Sequence, residues 1–181
     1  MVYRKDLFYL RQCKSNEVIN YQNHHTMKTM QNWLDEYQVS HQNKTNKAIH
    51  WICIPHIFFT VVGLLWSIDL PIELAAGFQA NVAMIALVLV FAYYSMLSIP
   101  LAIGMGVFSG LCAFLCYKID QADFMPLWQL SLIIFVVAWI GQFYGHSVEG
   151  KKPSFLKDLQ FLMIGPAWIM ADIFKKIGIK Y

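Results

Sequence analysis

Long stretches without charge alternate with short polar segments along this chain. Residues 48–68, 74–117 and 127–143 contain no Asp, Glu, Lys or Arg. The second stretch has 44 residues, more than twice the ~20 residues that a helix needs to cross a bilayer. It therefore predicts two helices, one over 74–94 and another ending at Tyr117, joined by a tight turn near "SMLSIP". Together with the flanking stretches, the pattern predicts four membrane-spanning helices.

The predicted spans are expected to be helical. A helix satisfies its own backbone polar groups where no water is available, and the alternation that is typical of a membrane β-barrel is absent from the sequence. Hydrophobic residues make up 57% of the chain and charged residues 14%, against about 25% charged in ordinary soluble domains. The predicted fold is all-α: a multi-pass membrane protein with a four-helix transmembrane bundle over 48–143 and amphipathic interfacial helices at both ends.

The polar N-terminal segment, residues 1–47, contains one amphipathic pattern. Within "TMKTMQNWLDEYQVSH", four apolar residues recur at helical spacing: Met27, Met30, Leu34 and Tyr37. The polar run "QNKTNK" then interrupts the pattern. One of its short side chains is expected to cap the first span, because such side chains accept hydrogen bonds from the open amides of a helix start; the candidates are Asn43, Thr45 and Asn46.

The C-terminal segment, residues 144–181, contains a second amphipathic pattern over 154–174. Lys157 and Asp158 interrupt its first half and Pro166 its middle. This pattern favours an interfacial or re-entrant helix over a fifth crossing.

The basic residues predict an orientation. Seven of the fourteen Lys and Arg residues lie in 1–47 and six follow residue 143, whereas the loop after the third span has only Lys118. Basic residues favour the cytoplasmic side, so four crossings would place both termini in the cytoplasm, at a bacterial inner membrane or the endoplasmic reticulum. A net charge of +3 without a basic tract gives no indication of nucleic-acid binding.

The four cysteines have no CxxC spacing. Cys112 and Cys116 lie one helical turn apart in an apolar stretch, where thiols usually behave as small hydrophobic groups. Cys13 and Cys53 are likewise expected to be reduced and structural.

Three histidines and one carboxylate lie next to the predicted cytoplasmic ends of the spans. His146 and Glu149 are at positions i and i+3 of a continued helix and share one side of it, with Gln142 one turn earlier. His41 and His50 would lie on opposite sides of an unbroken helix, but a bend in the "NKTN" run lets His41 fold back over His50. Two interpretations follow from spacing: a shared metal site, or scattered polar residues of a membrane interface.

The sequence indicates less about the other three histidines. His24 and His25 are expected to be solvated, since polar residues are mostly exposed. His56 lies deeper in the first span, where it either supports the other histidines or forms a hydrogen bond to a neighbouring helix.

Two segments together resemble a known family. "YQVSHQNKTNKAIHWICIP" is similar to its first signature, and "WIGQFYGHSVEGKKPSF" to its second. The family is the membrane 2-hydroxy fatty acid dioxygenases, formerly a domain of unknown function, whose characterised eukaryotic member is iron-dependent and acts in phytosphingosine breakdown. The resemblance covers about residues 31–174.

The resemblance implies a function and a site. It implies an Fe(II)-dependent dioxygenase that shortens 2-hydroxy fatty acids by one carbon at the cytoplasmic membrane face, with the fatty acid, dioxygen and membrane lipid as partners. His41, His50 and His146 are the implied ligands of ferrous iron (Fe2+). Glu149, the implied catalytic residue, would be a further metal ligand or an orienting carboxylate.

This chain departs from the family pattern at three positions. Cys53 stands where the family usually has Gly, His56 where it has an apolar residue, and Asp172 where it commonly has Glu. Lys151 and Lys152 are expected to anchor the chain at the membrane, or to attract a substrate carboxylate.

Two alternatives stay open. One is a haem-binding membrane protein, since paired histidines can bind haem iron from both sides. The other is a transporter or a non-catalytic scaffold, although the spans lack charged residues near the middle of the membrane.

Overall fold

The computed structural model describes residues 29–39, 41–75, 78–150 and 161–181. These residues form a mostly helical fold with six helices. They also form one two-stranded hairpin, which the all-α prediction did not include. The elements are α1 (Met30–Val39), α2 (Lys44–Trp66), β1 (Asp69–Ala75), β2 (Phe78–Asn81), α3 (Val82–Leu97), α4 (Ile99–Gln121), α5 (Leu127–Val148) and α6 (Ile164–Ile177).

Three helices, α2, α4 and α5, are long and apolar enough to cross a membrane. The fourth predicted span, α3, is apolar but has only 16 residues. Large apolar side chains remain exposed on the outside of these helices, including Val88 at 68%, Val107 at 71% and Val137 at 63%. Exposed apolar area of this extent is typical of a surface that contacts lipid or another protein.

The predicted start of the second span, Leu74, is wrong. Leu74 lies in β1, which pairs antiparallel with β2, with Asp69 opposite Asn81 and Glu73 opposite Gln79. The helix begins only at Val82, where the Asn81 side chain accepts a hydrogen bond from the Met84 backbone N–H at 3.2 Å and caps it. Absence of charge marks a segment that can enter lipid, but it does not distinguish a strand from a helix.

Two other helices extend beyond their predicted ends. α4 continues past Tyr117 to Gln121, and α5 continues past Phe143 to Val148. Both extensions are polar, so the apolar pattern alone could not include them. The turn predicted near "SMLSIP" is confirmed: Ser98 interrupts the helices, and its hydroxyl accepts from the Leu101 N–H at 3.4 Å.

The most extensive helix pair is α2 with α5. Small residues let their backbones approach: Gly63 of α2 faces the Ser131 side chain, and a Cβ on Gly141 of α5 would lie 2.6 Å from Cys53 Sγ. The late residues of α2 thus meet the early residues of α5, so the two helices run antiparallel. Small residues are the usual means of close helix packing in membranes.

The two amphipathic helices pack against each other. Met30, Leu34 and Tyr37 are buried in α1, which confirms the predicted apolar face; Met27 lies outside the described residues. Trp168 of α6 donates from Nε1 to Gln38 Oε1 of α1 at 3.0 Å.

The C-terminal helix begins later than its predicted amphipathic pattern. α6 starts at Ile164 and also contacts α2 and α4. Pro166 lies in its first turn, where a missing N–H costs no hydrogen bond. Residues 154–160 of the predicted segment lie outside the described residues. Just before α6, the Tyr94 hydroxyl donates a hydrogen bond to the Met163 carbonyl oxygen.

The cysteine prediction is confirmed for the residues that the structure describes. Cys53, Cys112 and Cys116 are free thiols, and Cys112 and Cys116 are buried. Cys13 lies outside the described residues.

Candidate metal centre

Three histidines from three parts of the chain meet at one end of the α2–α5 pair, which we call the histidine end. One ring nitrogen from each of His41, His50 and His146 lies within 4.8 Å of the other two. The ring centroids are 4.4 Å apart for His41 and His50, 4.9 Å for His50 and His146, and 5.6 Å for His41 and His146. All three side chains are buried, with 1–6% of their surface exposed.

The predicted bend between α1 and α2 brings His41 to this cluster. α1 ends at Val39, and α2 begins at Lys44 with Asn43 as its cap. The Asn43 side chain accepts hydrogen bonds from the N–H groups of Thr45 and Asn46, at 2.8 and 3.4 Å. Among the three candidate caps, Asn43 is therefore the one that caps α2, and the turn folds His41 back over His50.

Backbone carbonyls orient two of the three rings. His41 Nδ1 lies 2.7 Å from the Tyr37 carbonyl oxygen, and His50 Nδ1 lies 3.0 Å from the Asn46 carbonyl oxygen. A carbonyl oxygen can only accept, so each Nδ1 donates its proton and the neutral ring keeps a lone pair on Nε2. Metal-binding histidines usually make this second hydrogen bond, because it fixes the tautomer and the direction of the ring.

Aromatic contacts enclose the His41 ring. Tyr37 stacks on it, with ring centroids 4.1 Å apart and planes 17° from parallel. Trp168 of α6 lies 5.8 Å away from it, centroid to centroid. These rings exclude water from one side of the cluster, which strengthens any electrostatic interaction inside it.

Glu149 joins the end of α5 to the turn between α1 and α2. Its two carboxylate oxygens accept hydrogen bonds, each 2.9 Å long, from the Gln42 N–H, the Asn43 N–H and the Asn46 side-chain amide. Burial would raise the pKa of the Glu149 carboxyl, but the N–H groups of Asn43 and Gln42 and the Asn46 amide hold it below its ordinary value. The structure thus gives Glu149 an orienting position beside the cluster.

Gly145 lets α5 approach α2 at the histidine end. A Cβ at this position would lie 2.6 Å from Asn46 Oδ1 and 3.3 Å from His50 Nδ1. The first distance is shorter than real Cβ contacts, so a side chain here would displace Asn46 or its neighbour. Glycine at 145 is therefore part of what places His146 next to His50.

A cleft extends from the cluster between α2, α5 and the start of α6. Its enclosed volume is small, about 20 Å³, and one side of it is open. His50 lies in its wall together with Tyr37 and Gln142, and the other lining residues are mostly apolar: Ile54, Ile57, Trp139, Phe161, Leu162, Gly165 and Pro166. His50, Ile54 and Ile57 follow one face of α2 at helical spacing, so the apolar part of the cleft leads away from the histidines.

The other candidate residues lie elsewhere. His56 is exposed, and its Nδ1 lies 2.7 Å from Ile52 O of its own helix, not on a neighbouring one. Asp172 forms an ion pair with Lys176 at 2.9 Å on the surface of α6. The remaining candidates lie outside the described residues: His24, His25, Lys151 and Lys152.

Sequence reasoning missed Asn46 as a site residue. It is fully buried, its carbonyl orients His50, and its amide donates to Glu149. Its position one turn before His50 is a signal that could have found it, because residues i and i+4 share a helix face.

Three buried imidazoles, two of them with Nδ1 bonded to a backbone carbonyl, form a candidate metal centre at the end of helices that are long and apolar enough to cross a membrane. Comparison with known proteins gives the family. The chain matches the model of the Mpo1-like family, described as 2-hydroxy-palmitic acid dioxygenase Mpo1-like, over residues 27–177. It belongs to this family, and the resemblance predicted from the two signatures is confirmed.

One curated relative is the 2-hydroxy-palmitic acid dioxygenase MPO1 of Saccharomyces cerevisiae. The two are 29% identical over an alignment of 148 positions, which covers 78% of this chain and 78% of the relative. No solved structure matches the chain.

Proposed function

We propose that the protein is an Fe(II)-dependent dioxygenase that shortens 2-hydroxy fatty acids by one carbon. The observation that carries this proposal is the convergence of His41, His50 and His146 in a chain of this family. Residues 41 and 146 are more than a hundred positions apart, and scattered interfacial histidines would not be expected to meet in one buried cluster.

The donor set fits a divalent transition metal. Imidazole suits iron and zinc alike, and the relative's printed activity favours iron. Bound ferrous iron, held by the three histidines, would supply open positions for dioxygen and for the carboxylate and hydroxyl groups of the substrate.

The proposed reaction balances without a further reductant. A 2-hydroxy acid and dioxygen give the acid one carbon shorter, carbon dioxide and water. The bond between the carboxyl carbon and the hydroxyl-bearing carbon breaks, and the latter becomes the new carboxyl carbon. Dioxygen accepts all of the electrons that this oxidation releases, so no cosubstrate is required.

The cleft would hold the substrate. Its polar end, at His50 and Gln142, would receive the carboxylate and hydroxyl groups, and the apolar walls formed by Ile54 and Ile57 would contact the first part of the acyl chain. Burial of each methylene of that chain contributes about 0.8 kcal/mol, which favours long-chain over short-chain acids.

We assign Glu149 an orienting role in this reaction. Each of its carboxylate oxygens already accepts from a backbone N–H of the turn that carries His41. Moving it onto the metal would remove these hydrogen bonds and release the turn. Glu149 would therefore set the position of His41 rather than act as a fourth ligand.

The helices would cross the membrane four times, with both termini in the cytoplasm. α3, at 1.5 Å per residue, is about 24 Å long, whereas the hydrocarbon core is about 30 Å thick. The preceding hairpin would cover the difference at the outer interface. With four crossings the basic N- and C-terminal segments lie on the same side, as the distribution of Lys and Arg requires.

The haem alternative fits this cluster less well. Two axial imidazoles are separated by the iron and the plane of the macrocycle, whereas the three rings here are in edge-to-face contact. A non-catalytic scaffold would have no need for buried imidazoles with oriented tautomers.

Metal analysis combined with a chain-shortening assay tests the proposal. The purified protein, reconstituted anaerobically with ferrous iron, should retain one iron and convert 2-hydroxypalmitate to the C15 acid in the presence of dioxygen. His146→Ala should lose both the iron and the turnover. His56→Ala, an exposed histidine of α2, is the matched control and should retain both. A Soret band in the wild type, or full turnover by His146→Ala, would contradict the proposal.

A further inference from the structure

Gln142 places a buried amide in the wall of the cleft. Its side chain is 7% exposed, and no hydrogen-bond partner for Oε1 is found among the residues that the structure describes. It lies one helical turn before His146 on α5, and it lines the cleft together with His50. The amide therefore faces the space between the proposed iron ligands and the apolar walls.

A buried acceptor without a partner is unfavourable. Leaving such a group unsatisfied costs about 1–3 kcal/mol, which usually means that a ligand or an ordered water supplies the missing donor. An amide oxygen only accepts hydrogen bonds. The group that satisfies it must carry an N–H or O–H.

A 2-hydroxy fatty acid has one suitable donor. Its ionised carboxylate can only accept, and its acyl chain is apolar, so only the hydroxyl group on the second carbon can donate. That hydroxyl lies next to the carboxylate, at the end of the molecule that the histidine end would receive.

We propose that Gln142 determines specificity for the 2-hydroxyl group by accepting its hydrogen bond. This inference rests on the proposed function, and it names the residue that would distinguish a 2-hydroxy acid from the unhydroxylated acid of equal length. A site that is built to bind a substrate hydroxyl rejects the analogue that lacks it, because its buried polar group then remains unpaired.

The test compares two constants in the iron-loaded enzyme: the KM for 2-hydroxypalmitate and the inhibition constant of palmitate. Gln142→Met keeps the length of the side chain and removes the acceptor. It should raise the KM about tenfold or more, as expected for one lost buried hydrogen bond. The inhibition constant of palmitate should stay the same or fall, because no buried acceptor is then left unpaired in that complex. Gln142→Asn, which withdraws the amide by one methylene, should give a smaller loss in the same direction.

The control is Gln129→Met, the same substitution at an exposed position of α5, which should change neither constant. Both Gln142 variants should retain iron. Equal changes in both constants, an unchanged ratio between them, or loss of iron in both variants would overturn the role of Gln142. Failure of the wild type to bind iron and to convert 2-hydroxypalmitate would instead contradict the proposed function.

Discussion

The two ends of the α2–α5 pair are built alike and carry different chemistry. At the histidine end, Gly145 brings α5 against Asn46 and His50. At the opposite end, Gly63 brings α2 against Ser131 and Cys116 in the same close manner. Both ends bury polar atoms, but only the first buries imidazoles.

The two ends differ in the polar side chains that they bury, although their helices pack equally closely. The opposite end contains the small polar side chains of Thr60 and Ser131, with Cys116 of α4 beside them. The Thr60 hydroxyl donates to the Ile57 carbonyl oxygen of its own helix at 2.9 Å, so it can be buried at small cost. The histidine end adds three clustered imidazole rings that could hold a metal ion, the carboxylate of Glu149 that accepts from the turn before α2, and an open cleft. Close contacts at Gly63 and Gly145 therefore stabilise both ends of the α2–α5 pair. The candidate site depends on the residues around Gly145 alone.

The largest expected effect comes from removing one of the three histidines. His50→Ala should lower iron content and turnover at least 100-fold, and the double variant His50→Ala/His146→Ala should lose no more than the single one. Residues that act as a unit on one ion are grossly non-additive. Ser131→Ala, at the opposite end, is the control and should keep its iron. Stepwise loss, with half of the iron retained in each single variant, would show that the histidines act separately.

Replacing Gly145 or Gly63 by alanine tests whether the two ends of the helix pair differ in function. Gly145→Ala and Gly63→Ala both overpack the interface, at about 1–3 kcal/mol each, and should lower the thermal midpoint in detergent. Only Gly145→Ala should also weaken iron binding, because its Cβ would displace Asn46 or the His50 ring.

The control for both is Gly110→Ala in α4, where a Cβ meets nothing within 4 Å. It should be neutral or stabilising by up to about 1 kcal/mol. Equal iron affinity in Gly145→Ala and Gly63→Ala would show that close packing at the histidine end is not needed for iron binding.

Replacing the orienting carboxylate should have a smaller effect. Glu149→Gln keeps the shape but places an amide N–H₂ against backbone N–H groups, so we expect iron affinity to fall about tenfold, as for other residues that orient metal ligands. Titration of ferrous iron into the apoprotein of wild type and variant measures the two affinities.

The same substitution has a predicted pH dependence. The folded state lowers the pKa of Glu149, so the stability that its ionised form contributes is present above the ordinary pKa of about 4.3 and is lost as the pH falls through the lowered value. The difference in thermal midpoint between wild type and Glu149→Gln should therefore be largest near neutral pH and shrink in acid. A difference that grows in acid would contradict the role of the carboxylate.

The smallest expected effect is at Asp172. Its ion pair with Lys176 is partly exposed, with 36% of the Asp172 side chain accessible, so Asp172→Asn should change stability by less than about 0.5 kcal/mol and leave iron content and turnover unchanged. A loss of turnover would show that this late acid acts in the site despite its position on the surface.

The sequence by itself determined the apolar spans, the apolar face of α1 and the break before α2. These follow from local rules: the charge-free length of a span, the 3.6-residue period of Met30, Leu34 and Tyr37, and the polar run before Lys44. The spacing of the histidines left two interpretations open, and the resemblance of two segments to a family selected the three that meet. The start of α3 could not be predicted, because the pairing of Glu73 with Gln79 is a contact between strands and leaves no trace in local hydrophobicity.

Only the tertiary structure decided how the site is assembled. The three imidazoles converge because α2 and α5 run antiparallel with Gly145 at their contact, and because Glu149 fixes the turn that carries His41. The structure also separated His56 from the cluster and turned Gln142 into the cleft. Each of these depends on contacts between residues distant in the chain, and spacing along one helix does not contain that information.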